Sequence, residues 1–215
     1  MERLGDPRER ASYAIRTAEA VEVVAPATAI AALREIGEVP HPVAAEELGR
    51  LLQDSDASGA AAAYEAAARG AVARKRKARL FHRAACLWQD GASDPTRALA
   101  ALREALTLQP DHADAFARAR RLLESAGDAA GLARLFEQRL TAPIDPASAV
   151  ALETERAALC AHLGDHPEAR RALARAVVLA PERLDLLERL AGLRLEAGEY
   201  PEAAELLVRL ARTTQ

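Results

Sequence analysis

Apolar residues recur at every third and fourth position through most of this chain. Near its end, one series of such residues begins at Leu184 and a second begins at Ala203. The members are Leu184, Leu187, Leu190, Leu193 and Ala197 in the first series, and Ala203, Leu206, Leu207 and Leu210 in the second. This spacing places each series along one face of an α-helix. Because neither helix can bury its apolar face alone, the pattern predicts helices that stack in pairs.

Turns containing glycine or proline separate the apolar segments. Gly164 and Gly198 lie 34 residues apart, each before an acidic residue, and Gly127 lies 37 residues before Gly164. Pro110 and Pro181 mark the turns between them. Glycine can close a helix in the left-handed conformation, and an acidic residue after it can cap the next helix. The order of helix, glycine turn, helix and proline turn therefore predicts a repeated helix pair.

Aspartate followed by proline predicts further helix starts. Asp6, Asp94 and Asp145 each precede a proline, which the first helical turn tolerates because the missing amide would have no partner there. Asp165 and Glu168 have the spacing of a capping box. Together these signals predict an all-α chain with one repeat domain over residues 1–215. Its approximate helix pairs are 7–36, 42–70, 74–108, 112–140, 146–179 and 182–213.

The last repeat, Leu184 to Ala211, resembles a tetratricopeptide repeat. Its matching positions are Leu187, Leu190, Ala191, Gly198, Tyr200 and Ala203, and those of the preceding repeat are Ala157, Gly164, Ala169, Ala176 and Pro181. The resemblance covers nearly the whole chain and is weakest in the first repeat. It implies a right-handed α-solenoid of about six antiparallel helix pairs.

Three features depart from the family pattern. The turn "DGASDP" is longer by about two residues and the linker "TAPIDPAS" by about three. Glu153 and Arg156 stand where the family usually has large apolar residues. We therefore expect local changes in the curvature of the repeat array.

The resemblance also implies a function, because tetratricopeptide arrays bind an extended peptide or a partner helix in a concave groove. The first helix of each pair lines this groove. Carried over by position, the groove candidates are His82, Trp88, Arg118, Arg121, His162 and Arg189. Two alternatives stay open: the arginines are ordinary solvated side chains, and Trp88 is buried between neighbouring helices. The carboxylate clamp of the co-chaperone subclass is excluded, because the chain contains no asparagine.

The net charge of -3, with both signs interspersed, disfavours a general nucleic-acid binder. One cluster is locally basic, and it consists of Arg74, Lys75, Arg76, Lys77 and Arg79. Cations at a helix start are unfavourable by roughly 0.3–1 kcal/mol, which makes this cluster unusual. It is interpreted as a solvated face, as a docking site for an acidic protein, or as a nucleic-acid contact.

No catalytic constellation, cofactor motif or metal motif is recognised in the sequence. His162, Asp165 and His166 form a near-motif, but a glycine turn separates the two histidines, so they do not share a helical face. Cys86 and Cys160 are interpreted as small buried residues. No signal peptide or membrane span is predicted, and the arginine-rich usage resembles that of a GC-rich bacterial genome. We therefore expect a cytoplasmic bacterial protein without enzymatic activity.

The sequence thus predicts a non-catalytic scaffold that binds a peptide or a partner protein in its groove. The alternative is a regulatory or docking segment of a larger signalling or transcriptional-regulator protein. The residues "RLG" before Asp6 resemble the end of a repeat, which leaves open a longer repeat array.

Overall fold

The computed structural model describes residues 7–22, 25–35 and 41–213. Within them the regular elements are helical throughout, which confirms the predicted all-α fold of about six helix pairs. These described residues form twelve α-helices: α1 (Pro7–Val21), α2 (Pro26–Arg34), α3 (Pro42–Leu52), α4 (Ala57–Gly70), α5 (Arg74–Cys86), α6 (Pro95–Leu108), α7 (Ala113–Ser125), α8 (Ala129–Leu140), α9 (Pro146–His162), α10 (His166–Leu179), α11 (Leu184–Glu196) and α12 (Tyr200–Thr213). A π-helical turn, Leu87–Gly91, continues α5.

Contacts divide the chain into two compact units, Met1–Ala119 and Arg120–Gln215, and the division falls inside α7. In the first unit, helices α1 to α6 pack against their neighbours in chain order, and in the second unit α8 to α12 do the same. Packing between successive elements is the arrangement that a helical repeat requires. The single domain and the right-handed course stay predictions. In the part of the chain described, each helix is too short or too polar to cross a bilayer.

Small side chains bring the helices of the first unit close together. Helix α4 buries six side chains, Ala60, Ala61, Ala63, Tyr64, Ala67 and Ala68. The Tyr64 ring covers Gly49 of α3, where an added Cβ would come within 3.0 Å of the ring carbons. Close approach of α3 to α4 therefore depends on the missing side chain at Gly49.

The second unit has a core of larger aliphatic residues. Leu173 and Val177 of α10 pack with Leu186, Leu187 and Leu190 of α11. Leu206 and Leu210 of α12 cover this cluster, whereas Leu207 stays 42% exposed. Most leucines of the two apolar series seen in the sequence therefore meet in one core, whereas Ala197 and Leu207 are exposed.

The turn glycines adopt the conformation that the repeat pattern predicts. Gly127, Gly164 and Gly198 have φ angles of +65°, +79° and +77°, values that an L-residue with a side chain rarely adopts. The longer turn at "DGASDP" is different. There the π-helical turn takes up extra residues, Ser93 has the positive φ of 53°, and Gly91 permits close approach because its Cβ would lie 2.6 Å from that of Ala57.

Aspartates cap the helices as predicted. The carboxylates of Asp94, Asp145 and Asp165 accept hydrogen bonds from main-chain amides three residues later, at 2.9, 2.9 and 3.1 Å. Asp6 lies outside the described residues. The Glu168 carboxylate binds Arg175, at 3.0 Å, so an ion pair replaces the reciprocal half of the predicted capping box.

A buried ion network occupies the two polar positions of α9. Glu153 and Arg156 are only 4% and 5% exposed. Arg156 contacts Glu153 at 3.6 Å and Glu168 of α10 at 2.9 Å, while Arg175 of α10 donates to Glu153 at 2.6 Å. Each buried charge thus has an opposite charge beside it, which is the condition for its burial.

Replacing Gly164 by alanine is expected to lower the free energy of unfolding by roughly 1 kcal/mol, because alanine is strained at positive φ. Gly192 provides the matched control, since it lies inside α11 and an added Cβ would meet nothing within 4 Å. Gly192→Ala is expected to raise stability by about 0.5–1 kcal/mol. Urea unfolding monitored by circular dichroism measures both, and equal effects of the two substitutions would contradict the turn assignment.

Arg156→Met is expected to lower the free energy of unfolding by roughly 3 kcal/mol, because it removes one partner from a buried ionic network. Arg189→Met is the control, because Arg189 is exposed on α11. The double variant Glu153→Leu/Arg156→Met should cost less than the sum of its single changes, since the two sites are coupled. Urea titrations of the parent, Arg156→Met, Glu153→Leu, the double variant and the Arg189→Met control test this, and strict additivity would show that the two side chains act independently.

Candidate functional site

Three metal-ligating or nucleophilic side chains meet in the first unit, on α5 and the first turn of α7. His82 and Cys86 are one turn apart on α5, so they share a helical face. The His82 Nε2 atom lies 2.7 Å from Asp114 Oδ2 and 3.7 Å from Cys86 Sγ. His82, Cys86 and Asp114 are called the His82 cluster below.

Partial burial sets the protonation of this cluster. It lowers the pKa of His82 below its ordinary value, although the hydrogen bond to Asp114 opposes this shift. It also raises the pKa of the Cys86 thiol. For Asp114, burial favours the neutral acid, but the His82 hydrogen bond and the charge of Arg118 outweigh burial and lower the pKa. At neutral pH the cluster therefore holds a neutral imidazole, a thiol and a carboxylate.

The geometry of the His82 cluster does not match a nucleophile–base–carboxylate triad. In such a triad one imidazole nitrogen faces the nucleophile while the other is held by the carboxylate. Here Cys86 and Asp114 both approach the same nitrogen, Nε2. The ring therefore cannot accept a proton from Cys86 while Asp114 holds its far side. Three potential ligand atoms, His82 Nε2, Cys86 Sγ and Asp114 Oδ2, instead lie close together, which is an arrangement suited to holding an ion.

Arg118 of α7 is bound to protein groups on three sides. Its guanidinium contacts Asp90 at 3.0 Å, Gln89 at 3.1 Å and Asp114 at 3.3 Å. Gln89 and Asp90 belong to the π-helical turn, a type of element that often carries functional side chains. The prediction that Arg118 offers its fork to a partner carboxylate is thereby weakened, because these contacts would first have to break.

The structure corrects the prediction that Trp88 lies in the groove. Its side chain is 4% exposed, and its indole Nε1–H donates to Glu65 Oε1 on α4 at 2.7 Å. The guanidinium of Arg97 lies 4.7 Å from the ring centroid. Trp88 therefore joins neighbouring helices, as the alternative interpretation held, and it is not a surface anchor for a partner.

The remaining groove candidates lie in the second unit. Arg121 is on α7, His162 ends α9, and Arg189 is on α11. All three side chains are exposed. They are available to solvent as the groove prediction requires, and their role in binding stays a prediction.

The basic cluster at the start of α5 is largely used within the first unit. Arg74 donates to the main-chain oxygens of Leu108 and Thr107 at 2.7 and 3.2 Å, at the end of α6, where the helix dipole attracts a cation. Arg76 and Arg79 pair with Glu46 of α3. The unfavourable position at a helix start is thus compensated by two neighbouring helices. Lys75 and Lys77 complete the cluster.

The second unit contains an open apolar cavity of about 610 Å³. Its wall consists of Leu140, Ala142, Pro143, Ile144, Pro146, Ala149, Glu153, Ala174, Arg175, Val178 and Leu179. Residues 142–144 belong to the linker that the sequence shows to be longer than the family pattern. Val178, at the rim, is 80% exposed. The extra linker residues therefore form part of a concave apolar surface.

No protein-family model and no curated protein matches the chain. Among solved structures, it is similar to MamA from Desulfovibrio magneticus RS-1, with 16% identity, 94% coverage of each chain and a TM-score of 0.38. A tetratricopeptide repeat protein from Parabacteroides merdae shares 16% identity over 95% of this chain and 80% of its own, with a TM-score of 0.44. YrrB, a tetratricopeptide repeat protein with an unusual peptide-binding site, shares 18% identity over 82% and 89%, with a TM-score of 0.43.

The last two of these structures are tetratricopeptide repeat proteins, the family that the sequence resembles. The helix-pair fold itself is established by the contacts within each unit of this chain.

Sequence reasoning missed the His82 cluster, although one signal for it is present. A histidine and a cysteine four residues apart on one helix share a face, as His82 and Cys86 do. The near-motif of His162 and His166 is more conspicuous in the sequence, but Asp165 between them is used as a helix cap. Asp114 has no local signal, because 32 residues separate it from His82.

Asp114→Asn is expected to lower the pKa of His82 further, because it removes the carboxylate that favours the imidazolium form. Measurement of the imidazole NMR shifts against pH tests this. In the parent protein the pKa of His82 is lower in the folded chain than in the unfolded chain, so the unfolded chain takes up this proton at a higher pH. The free energy of unfolding therefore falls as the pH drops below about 6.5. Asp111→Asn, an exposed change in the preceding turn, is the control. A rise of the His82 pKa in Asp114→Asn would contradict this account.

Proposed function

We propose that this chain is a non-catalytic interaction scaffold that binds a peptide or a partner protein. The observation that carries the proposal is the apolar cavity of the second unit, with Val178 80% exposed at its rim. Its volume of about 610 Å³ falls within the range of roughly 300–1,000 Å³ that is usual for binding pockets. Exposed apolar surface of this kind marks interaction sites in soluble proteins.

The polar groups in the cavity wall select against a charged occupant. Glu153 and Arg175 are the charged residues that line it, and they are bound to each other at 2.6 Å. Arg175 is further held by Glu168 at 3.0 Å. Since these charges already have partners, an apolar side chain of the bound peptide suits the cavity best.

The linker makes the cavity ready for binding before a partner arrives. Pro143 and Pro146 flank Ile144 in the chain, and all three line the cavity. Proline restricts the main chain, so less conformational entropy is lost when the wall is held in place. The Arg139 guanidinium also donates to the main-chain oxygen of Pro143 at 3.2 Å. A preformed wall favours affinity because little ordering is left to occur on binding.

The groove on the first helices is the second surface of the scaffold. Arg121, His162 and Arg189 are exposed on α7, α9 and α11, and they are the side chains proposed to contact a partner there. Arg118 and Trp88 are left out of this proposal because of their internal contacts. Arginine can form paired hydrogen bonds with carboxylates, so an acidic segment would suit this surface.

Selection of peptides from a random display library on the purified chain tests the function. We expect enriched peptides to carry an apolar side chain, and Val178→Glu to weaken their binding by at least about tenfold, because the charge would face an apolar wall. Fluorescence anisotropy with labelled peptides measures the affinity. Val72→Glu is the matched control, because Val72 is 97% exposed in the first unit.

The outcomes separate the two surfaces. Loss of binding in Val178→Glu alone supports the cavity, whereas loss only in Arg121→Ala/Arg189→Ala assigns the peptides to the groove and overturns the cavity. If no peptide is enriched over a column without protein, the proposed function is wrong.

A further inference from the structure

We propose that the His82 cluster binds a divalent transition metal ion of the zinc type. Two of its members come from α5 and the third from the start of α7. One atom of each, the imidazole nitrogen, the sulfur and a carboxylate oxygen, lies within 4.8 Å of the other two. Neither the lining of the apolar cavity nor the exposed groove residues Arg121, His162 and Arg189 contribute to this cluster.

Two donor distances of the His82 cluster are near those of tetrahedral zinc, and all three lie within 4.8 Å. Ligand bonds of about 2.0–2.3 Å place neighbouring donor atoms roughly 3.3–3.6 Å apart. The Cys86 Sγ to His82 Nε2 distance is 3.7 Å, close to this range, and the Nε2 to Asp114 Oδ2 distance is 2.7 Å. The hydrogen bond between His82 and Asp114 would therefore open by less than about 1 Å to admit the ion.

The donor set favours zinc over the hard cations. Thiolate and imidazole are preferred by zinc and its neighbours, while magnesium and calcium require oxygen ligands. Ionised Cys86 and Asp114 would together balance the two positive charges of the ion. Arg118 contacts Asp114 at 3.3 Å, and it has a second counter-charge in Asp90 at 3.0 Å that would hold it when Asp114 binds the ion.

The surroundings leave one coordination position open. The Asp114 side chain is 55% exposed, so solvent reaches the cluster. The ring of His112 lies 4.5 Å from that of His82, centroid to centroid. However, its Nδ1 accepts the main-chain N–H of Ala115 at 3.3 Å, which places the ring proton on Nε2 and leaves no donor atom for a metal. Three protein ligands leave the fourth tetrahedral position of the ion to a water molecule.

Titration of the metal-free chain with Zn²⁺ and Co²⁺ tests the site. We expect one ion per chain, and a Co²⁺ absorption spectrum with the intense near-ultraviolet band of a thiolate ligand. Cys86→Ser, His82→Gln and Asp114→Asn should each weaken Zn²⁺ binding by at least about tenfold, as expected when a metal site loses a supporting residue.

Matched controls come from the second unit. Cys160→Ser removes the other cysteine, which is buried beside Ala133 and Ala169, and His166→Gln removes an exposed histidine. Both should bind Zn²⁺ as the parent does. The proposal is overturned if the parent Co²⁺ complex lacks the thiolate band, a readout that needs no variant to fold. It is also overturned if Cys86→Ser binds Zn²⁺ as tightly as the parent.

Discussion

The structure depends on one constraint: no helix in either unit can cover its own apolar face. Each must pack on its neighbours in chain order, and most of the residues available for this are alanines, leucines and valines. Alanine stabilises a helix without loss of side-chain entropy, but it offers little area to bury. The helices of the first unit therefore approach closely, as the contact of Gly49 with the Tyr64 ring shows. Close approach is also what brings side chains of different helices, such as His82 and Asp114, within bonding distance.

The chemistry of the chain lies where the repeat becomes irregular. The π-helical turn after α5 contributes Gln89 and Asp90 to Arg118 and directs Trp88 towards Glu65. The longer linker before α9 forms part of the apolar cavity. The polar positions of α9 hold a buried ion network whose outer member, Arg175, also lines that cavity. Regular repeats suffice for the fold, and the departures from regularity create polar clusters and concave surfaces.

Local signals predicted the helices, the turn glycines and the aspartate caps, because each depends on residues within one or two turns of chain. Gly164, for example, has its positive φ for reasons contained in its own turn. The candidate site was less predictable. Trp88 bonds to Glu65, Arg118 to Asp90 and Arg74 to Leu108, over separations of 23, 28 and 34 residues. Such pairings follow from how helices pack and have no signature in local spacing. The sequence therefore left open whether these side chains contact a partner, solvent or the chain itself.

Contacts within the chain also give the abundant arginines a structural role. Arg74 and Arg209 each reach a main-chain oxygen at a turn, those of Leu108 and Pro181, at 2.7 and 2.8 Å. Arg120 joins α7 to Glu155 of α9 at 2.9 Å. In a chain with only 3% aromatic residues, long arginine stems extend across gaps that larger apolar side chains would otherwise fill. Exposed ion pairs contribute little stability individually, but they occupy guanidinium groups that would otherwise face a partner. For the proposed function, recognition then falls to surfaces that such pairing leaves uncovered, such as the apolar cavity beside Val178.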